Sequence, residues 1–153
     1  MQRTVVLLKP DTIQRGLIGE IIGRLEKKGL KLVAMKMMIC GDSILDEHYA
    51  HHKDKPFFAS LKKFMMSAPL VCMLWEGLDA VDVVRKMTGA TNGRVADLGS
   101  IRGDLSNSQS NNLIHVSDSA ESAQIEETRF FEKGEVFDWK RLADEAVYGE
   151  DEK

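Results

Sequence analysis

Val5, Val6, Leu7 and Leu8 form an unbroken apolar run, the pattern of a strand buried on both faces. Asp11 and Gln14 follow at capping-box spacing, so Asp11 is expected to cap a helix start and Gln14 to reach back, with Gly16 ending that turn. From Leu17 the apolar positions are 17, 18, 21, 22 and 25, which is helical spacing, and Lys27-Lys28-Gly29 supplies cations and a glycine stop. Leu32 to Ile39 reads as a second strand with Lys36 inside it. Ser43 to Lys53 reads as a helix carrying His48, Tyr49, His51 and His52, and Pro56-Phe57-Phe58 opens another that runs to about Met66. Leu70 to Trp75 is a third apolar strand, and Ala80, Val83, Val84 and Met87 mark a helix that stops at Gly89. Residues 90 to 112 are rich in glycine and small polar side chains and predict a long irregular segment, a feature usually tied to function. Leu113-Ile114 is a short fourth strand, and Asp118 to Phe131 a last helix, with Asp118 and Glu121 again at capping-box spacing.

The predicted order is β-α-β-α-α-β-α-loop-β-α. Its core is βαββαβ, so the fold class is α+β, ferredoxin-like with inserted helices, built on an antiparallel sheet covered by helices. Such a sheet is expected to leave one face free. That face would bury residues such as Val33 or Met37 against a second copy in a symmetric dimer.

The 153 residues suit one domain, placed at 1–144, with an acidic tail at 145–153 that is expected to fray. Hydrophobic residues make up 43% and charged residues 29%, which argues against disorder. A formal charge of −3 argues against a basic coat for nucleic acid, though it leaves room for a local basic pocket. Cys40 and Cys72 sit in apolar runs and read as buried thiols rather than a disulfide framework. The start of the chain lacks a signal-peptide core and no run has membrane-spanning length, so a soluble, cytoplasmic protein is expected.

Neither a P-loop nor a strand-linked G-x-G-x-x-G is present, so phosphate chemistry would need side-chain cations and loop amides. Lys9, Arg85, Arg94 and Arg102 are the candidate cations; each alone is an ordinary surface charge, and their value depends on whether they converge. His115 ends the fourth strand just before a helix, where an imidazole could take a phosphoryl group. On spacing alone, a half-buried histidine satisfied by a backbone carbonyl is the better reading. The histidines at 48, 51 and 52 read as helix-surface residues, one of which could touch a phosphate; a metal site there lacks a further matched ligand. Phe57, Phe58 and Leu61 read as core before they read as a shelf for a base.

Taken in order, Lys9-Pro10-Asp11, Arg15-Gly16-Leu17-Ile18-Gly19, His48-Tyr49-Ala50, Lys55-Pro56-Phe57-Phe58, Gly89-Ala90-Thr91-Asn92, Ile101-Arg102-Gly103-Asp104 and Asn112-Leu113-Ile114-His115-Val116-Ser117-Asp118-Ser119 span nearly the whole chain. Together they resemble the nucleoside diphosphate kinases. The string N-x-x-H-x-S-D-S carries most of that resemblance. It implies transfer of a γ-phosphoryl group from a nucleoside triphosphate to a diphosphate, by a ping-pong route through phosphorylated His115. Substrates would be ATP, GTP and their deoxy forms with their diphosphates.

The same resemblance implies roles for particular residues. Lys9 and Asn112 match binders of the sugar 3′-hydroxyl, and Lys9 also lies near the transferred phosphate. His52, Arg85, Thr91 and Arg102 match the phosphate-binding set, Phe57 and Leu61 the clamp on the base, and Tyr49, Ser117 and Glu126 the shell around the histidine. Mg2+ would arrive with the nucleotide, held by its phosphates and not directly by side chains, with Asp118 reaching it through water. A homo-oligomer built from dimers, as tetramer or hexamer, is implied, without membrane or sequence-specific nucleic acid as partner. Gly93 and Leu98 stand where the family commonly has proline in a loop of subunit contacts. Weaker higher assembly is therefore expected, with a gain from Gly93→Pro. Gln109, Asn111, Ala68, Ile125 and Glu127 also depart from the family pattern. Two rival readings are a single-stranded nucleic-acid module, which the charge and the missing aromatic motif oppose, and a family member that binds nucleotide without turnover.

Overall fold

The computed structural model describes residues 1–152; residue 153, the last of the predicted acidic tail, lies outside the described residues. Strands β1 (Gln2–Leu8), β2 (Lys31–Met38), β3 (Leu70–Gly77) and β4 (Ile114–Val116) form one sheet in the order β2-β3-β1-β4, and every neighbouring pair is antiparallel. This is the expected ferredoxin-like arrangement. Between the strands run α1 (Pro10–Gln14), α2 (Ile18–Lys27), α3 (Asp42–His48), α4 (Phe58–Met65), α5 (Ala80–Thr88) and α6 (Ile101–Leu105); α7 (Ala120–Phe130) and α8 (Asp144–Val147) follow.

The apolar run of β1 is continuous because both faces of the sheet are covered. Val6 and Leu8 pack with Ile21, Leu25 and Val84, while Val5 and Leu7 pack with Leu45, Met65 and Phe130. Among the described residues neither face is left free as a whole, which corrects the expectation of an uncovered face and of Val33 as a dimer contact, while Met37 stays exposed. Val33 is buried within its own chain, in the second cluster. Exposed apolar side chains lie instead at the β2 edge of the sheet, at Met35, Met37 and Ile39. The first half of that edge is closed by the chain itself: the Phe137 amide donates to the Val33 carbonyl (2.9 Å) and Trp139 Nε1 to the Leu32 carbonyl (3.1 Å).

Both predicted capping boxes are corrected. Asp11 lies inside α1, and its carboxylate accepts from the Leu113 amide across the fold (3.0 Å). Ser119, not Asp118, caps α7, accepting from the Ser122 amide (3.1 Å). The helix expected over 43–53 ends at His48, and Ala50–His52 form a separate 3-10 turn. The loop over 90–112 contains the unpredicted α6, whose five residues are too few to show a period; Ser100 caps it by accepting from Gly103 N (3.0 Å). Gly93 has a structural reason. Its amide donates to the Ser108 carbonyl (3.0 Å), and a Cβ there would overlap the Ser106 carbonyl. Proline would lose the bond and meet the clash, so the predicted gain from Gly93→Pro is overturned.

Candidate active site

The residue just before β4 is constrained. Leu113 has φ +71, a conformation that costs a non-glycine residue on the order of 1–3 kcal/mol. Three bonds hold it there: its carbonyl accepts from the Lys9 amide (2.8 Å) and from Thr12 Oγ1 (2.5 Å), and its amide donates to Asp11. The segment pinned in this way delivers Asn112 and His115 into a cavity of about 1200 Å³. The walls come from the loop after β1, from α3 and the turn after it, from α4, α5 and the 90–112 loop, and from α7.

His115 is partly buried. Its Nε2 faces both oxygens of Glu126 at 3.0 and 3.1 Å. A carboxylate can only accept there, so the ring proton sits on Nε2 and the Nδ1 lone pair is left unprotonated. Glu126 is buried on α7 and also accepts from Ser117 Oγ (2.8 Å). Ser117 Oγ in turn accepts from the Val5 amide (3.0 Å), so the carboxylate is tied through Ser117 to the central strand.

Lys9 Nζ donates to Asn112 Oδ1 (2.7 Å), and Asn112 Nδ2 donates to the Thr91 (3.0 Å) and Gln109 (2.7 Å) carbonyls. Burial, with Arg102 nearby, lowers the Lys9 pKa to about 8, while Asp11 opposes the shift. Arg102 is buried and donates to the carbonyls of Asn112 (3.2 Å), Gly89 (3.1 Å) and Ile114 (2.6 Å), so it braces the loop as well as charging the cavity. Burial also brings its pKa down, to about 10. Arg85, half exposed at the mouth, pairs with Asp118. Phe57 is 48% exposed, with Leu61 behind it and the His52 ring 5.2 Å from its own, so Phe57 is a wall and not core. Tyr49 is buried with its hydroxyl unpartnered, and burial raises its pKa.

Every predicted site residue lines this cavity except Ser117, which lies behind it, and Asp118 stands at its rim. Of the four candidate cations Lys9, Arg85 and Arg102 converge; Arg94 instead donates to the Asn107 carbonyl (3.3 Å) outside the cavity. His48 is not a surface residue. It is buried, and its ring meets that of His115 edge-on at 4.5 Å. Arg129, which carries no motif of its own in the sequence, joins it, with Nη1 3.4 Å from His48 Nδ1. Its only sequence signal was its place one turn after Glu126. Ligand atoms of His48, His115 and Glu126 lie within 4.8 Å of one another. They are already engaged in hydrogen bonds, and two nitrogens do not suit magnesium, which favours oxygen.

The fold and the cavity define an α+β domain that sets one oriented imidazole among three convergent cations beside an aromatic wall, the equipment of a phosphotransferase. The family model for nucleoside diphosphate kinase matches residues 2–136. A nucleoside diphosphate kinase of Parabacteroides distasonis is 53% identical over 152 residues, covering 99% of each chain, and one of Archaeoglobus fulgidus is 47% identical over 150, covering 98% of this chain and 99% of that one. The solved structure of a halophilic nucleoside diphosphate kinase from Halobacterium salinarum in complex with CDP superposes with a TM-score of 0.95 at 47% identity, covering 97% of this chain and 99% of that one. The chain belongs to the nucleoside diphosphate kinase family, and its activity is phosphoryl transfer between nucleotides. Among the described residues no helix is long and apolar enough to cross a membrane.

Proposed function

We propose that His115 Nδ1 is the atom that carries the phosphoryl group. The observation behind this is the double contact of Nε2 with Glu126, which leaves Nδ1 as the lone pair available to attack. In the first half-reaction Nδ1 attacks the γ-phosphorus in line. An N–P bond forms, the bond to the bridging oxygen breaks, and the diphosphate leaves with that electron pair. In the second half an acceptor diphosphate reverses these steps. Because the reaction runs mainly on alignment and on neutralising spread charge, Lys9, Arg85 and Arg102 supply most of what the protein must provide. Arg85 exchanges Asp118 for phosphate oxygens, and His52 and Thr91 join it. Lys9 and Asn112, already bonded to each other, meet the sugar 3′-hydroxyl. Glu126 stabilises the positive ring that forms during transfer, Ser117 holds Glu126, and Tyr49 closes the site behind His115.

The base lies against Phe57 and Leu61. An aromatic face stacks on any base, so ATP, GTP, their deoxy forms and the matching diphosphates are all substrates. Mg2+ enters as part of the nucleotide substrate and neutralises its phosphates; the oxygen donor at the mouth suited to one of its waters is Asp118. We further propose that residues 1–144 are the catalytic unit, that 145–153 are its acidic tail, and that the protein works in the cytoplasm as a homo-oligomer of dimers, tetramer or hexamer. Met35, Met37 and Ile39 at the sheet's β2 edge support the dimer, which light scattering would detect.

The test is incubation with γ-labelled ATP. Label is expected on one histidine, His115, acid-labile and base-stable, and should leave on addition of a diphosphate. Folded His115→Asn that still transfers at the wild-type rate would overturn the reading.

A further inference from the structure

Arg129 sits on α7 one turn beyond Glu126, with its side chain only 11% exposed. Its Nε lies 3.2 Å from a Glu47 carboxylate oxygen on α3, and its Nη1 lies 3.4 Å from His48 Nδ1. A guanidinium has donors only, so the nitrogen it faces must be the acceptor. His48 is therefore the neutral Nε2–H tautomer, clamped by the rings of Tyr49, Phe130 and His115 at 4.6, 5.1 and 4.5 Å. Burial, with His115 and then Arg129 nearby, lowers its pKa to about 2, so a second proton does not enter.

The tautomer matters because His48 Nδ1 is also 3.9 Å from Glu126 Oε1. A proton on that nitrogen would make His48 a rival donor for the carboxylate that orients His115. With Arg129 capping Nδ1, the two Glu126 oxygens are left to His115 and Ser117. Buried guanidinium groups are costly, and the partner offered here, Glu47, is itself largely exposed; an apolar side chain would fill the place at less cost if packing were the only need.

We propose that Arg129 is a positioning residue that holds His48 in the Nε2–H tautomer and thereby reserves Glu126 for His115. The inference rests on His115 as the phosphoryl carrier, but its first readout is independent of turnover. In full-length protein with 15N-labelled histidine, His48 Nδ1 should give the signal of an unprotonated nitrogen from pH 6 to 9. In Arg129→Leu the proton should move to Nδ1, and phosphorylation of His115 by ATP should slow about tenfold with KM little changed. Arg129→Lys, which keeps a donor, should restore the tautomer at least in part. In a His48→Phe background, Arg129→Leu should add no further loss of rate. A protonated His48 Nδ1 in the wild type overturns the proposal whether or not the variants fold. So does a rate loss in Arg129→Leu without a change of tautomer. Absence of label on His115 would instead overturn the carrier assignment and leave the His48 spectrum to be judged alone.

Discussion

Ser117→Ala removes one oxygen from a place where that oxygen serves two partners. Ser117 is fully buried, and its Oγ accepts the Val5 amide at 3.0 Å while donating to Glu126 at 2.8 Å. The Ser117 amide in turn donates to the Val5 carbonyl (3.2 Å), so the side chain completes the ladder between β1 and the end of β4. Alanine leaves the Val5 N–H buried without an acceptor, at about 1–3 kcal/mol, and takes a donor from a buried carboxylate. Because the two losses share one atom they do not simply add, and about 2–4 kcal/mol is the expected cost. At about 2–4 °C per kcal/mol for a chain of this size, the melting temperature should fall by roughly 5–15 °C. Glu126 keeps its contact with His115, so the rate of phosphorylation should fall only about tenfold or less. Calorimetry at a fixed protein concentration measures the first effect, and rapid-quench labelling the second. Ser67→Ala is the control: that hydroxyl is exposed and bonds only the Phe64 carbonyl, so a change within about 0.5 kcal/mol is expected. A Ser117→Ala protein melting within 2 °C of wild type would refute the account of the ladder (roughly 0.5–1 kcal/mol on the same scale).

Gly93→Pro should destabilise the chain by about 2 kcal/mol or more, since it loses the bond to Ser108 and drives atoms into the Ser106 carbonyl; urea unfolding checks the sign, and a raised midpoint would refute it. Lys9 makes pH act in opposite directions on binding and stability. Its folded pKa of about 8 lies below its ordinary value of 10.5, so above pH 8 the unfolded chain binds the extra proton and the nucleotide-free protein should gain stability up to about pH 10.5. Over the same range the charge facing the phosphates is lost, so affinity for a diphosphate should fall. Calorimetric titration and melting curves across pH 7–10 test both, and parallel trends would contradict the assignment.

The elements legible in the sequence were those with a long enough repeat. The run Val5–Leu8, the spacing from Leu17 to Leu25 and the apolar stretch Leu70–Trp75 each carry a periodicity that burial alone imposes. The five-residue α6 has too few positions for a period. Both capping boxes failed because a carboxylate at cap spacing has other partners to choose from: Asp11 turned to Leu113, 102 positions away, and Asp118 to Arg85.

The sequence by itself, through its resemblance to a family, nominated the residues proposed to carry the chemistry. His115 with Asn112 and Ser117, and the pair Lys9-Pro10, are adjacent in the chain and so form strings that can be recognised. Tertiary structure alone decided which of the scattered groups meet. Lys9 reaches Asn112 across 103 positions and Arg102 closes on Gly89, while Arg94, two residues from Asn92, turns away. It also decided that helices cover both faces of the sheet's central strands, that His48 is buried and that Arg129 stands beside it. Local pattern records the repeat of an element long enough to show one, but not what each side chain packs against, and for His48 and Phe57 not even how far it is buried. The direction of a hydrogen bond, the tautomer of a ring and the lowering of a lysine pKa depend on groups brought together through space, and those contacts exist only once the chain has folded.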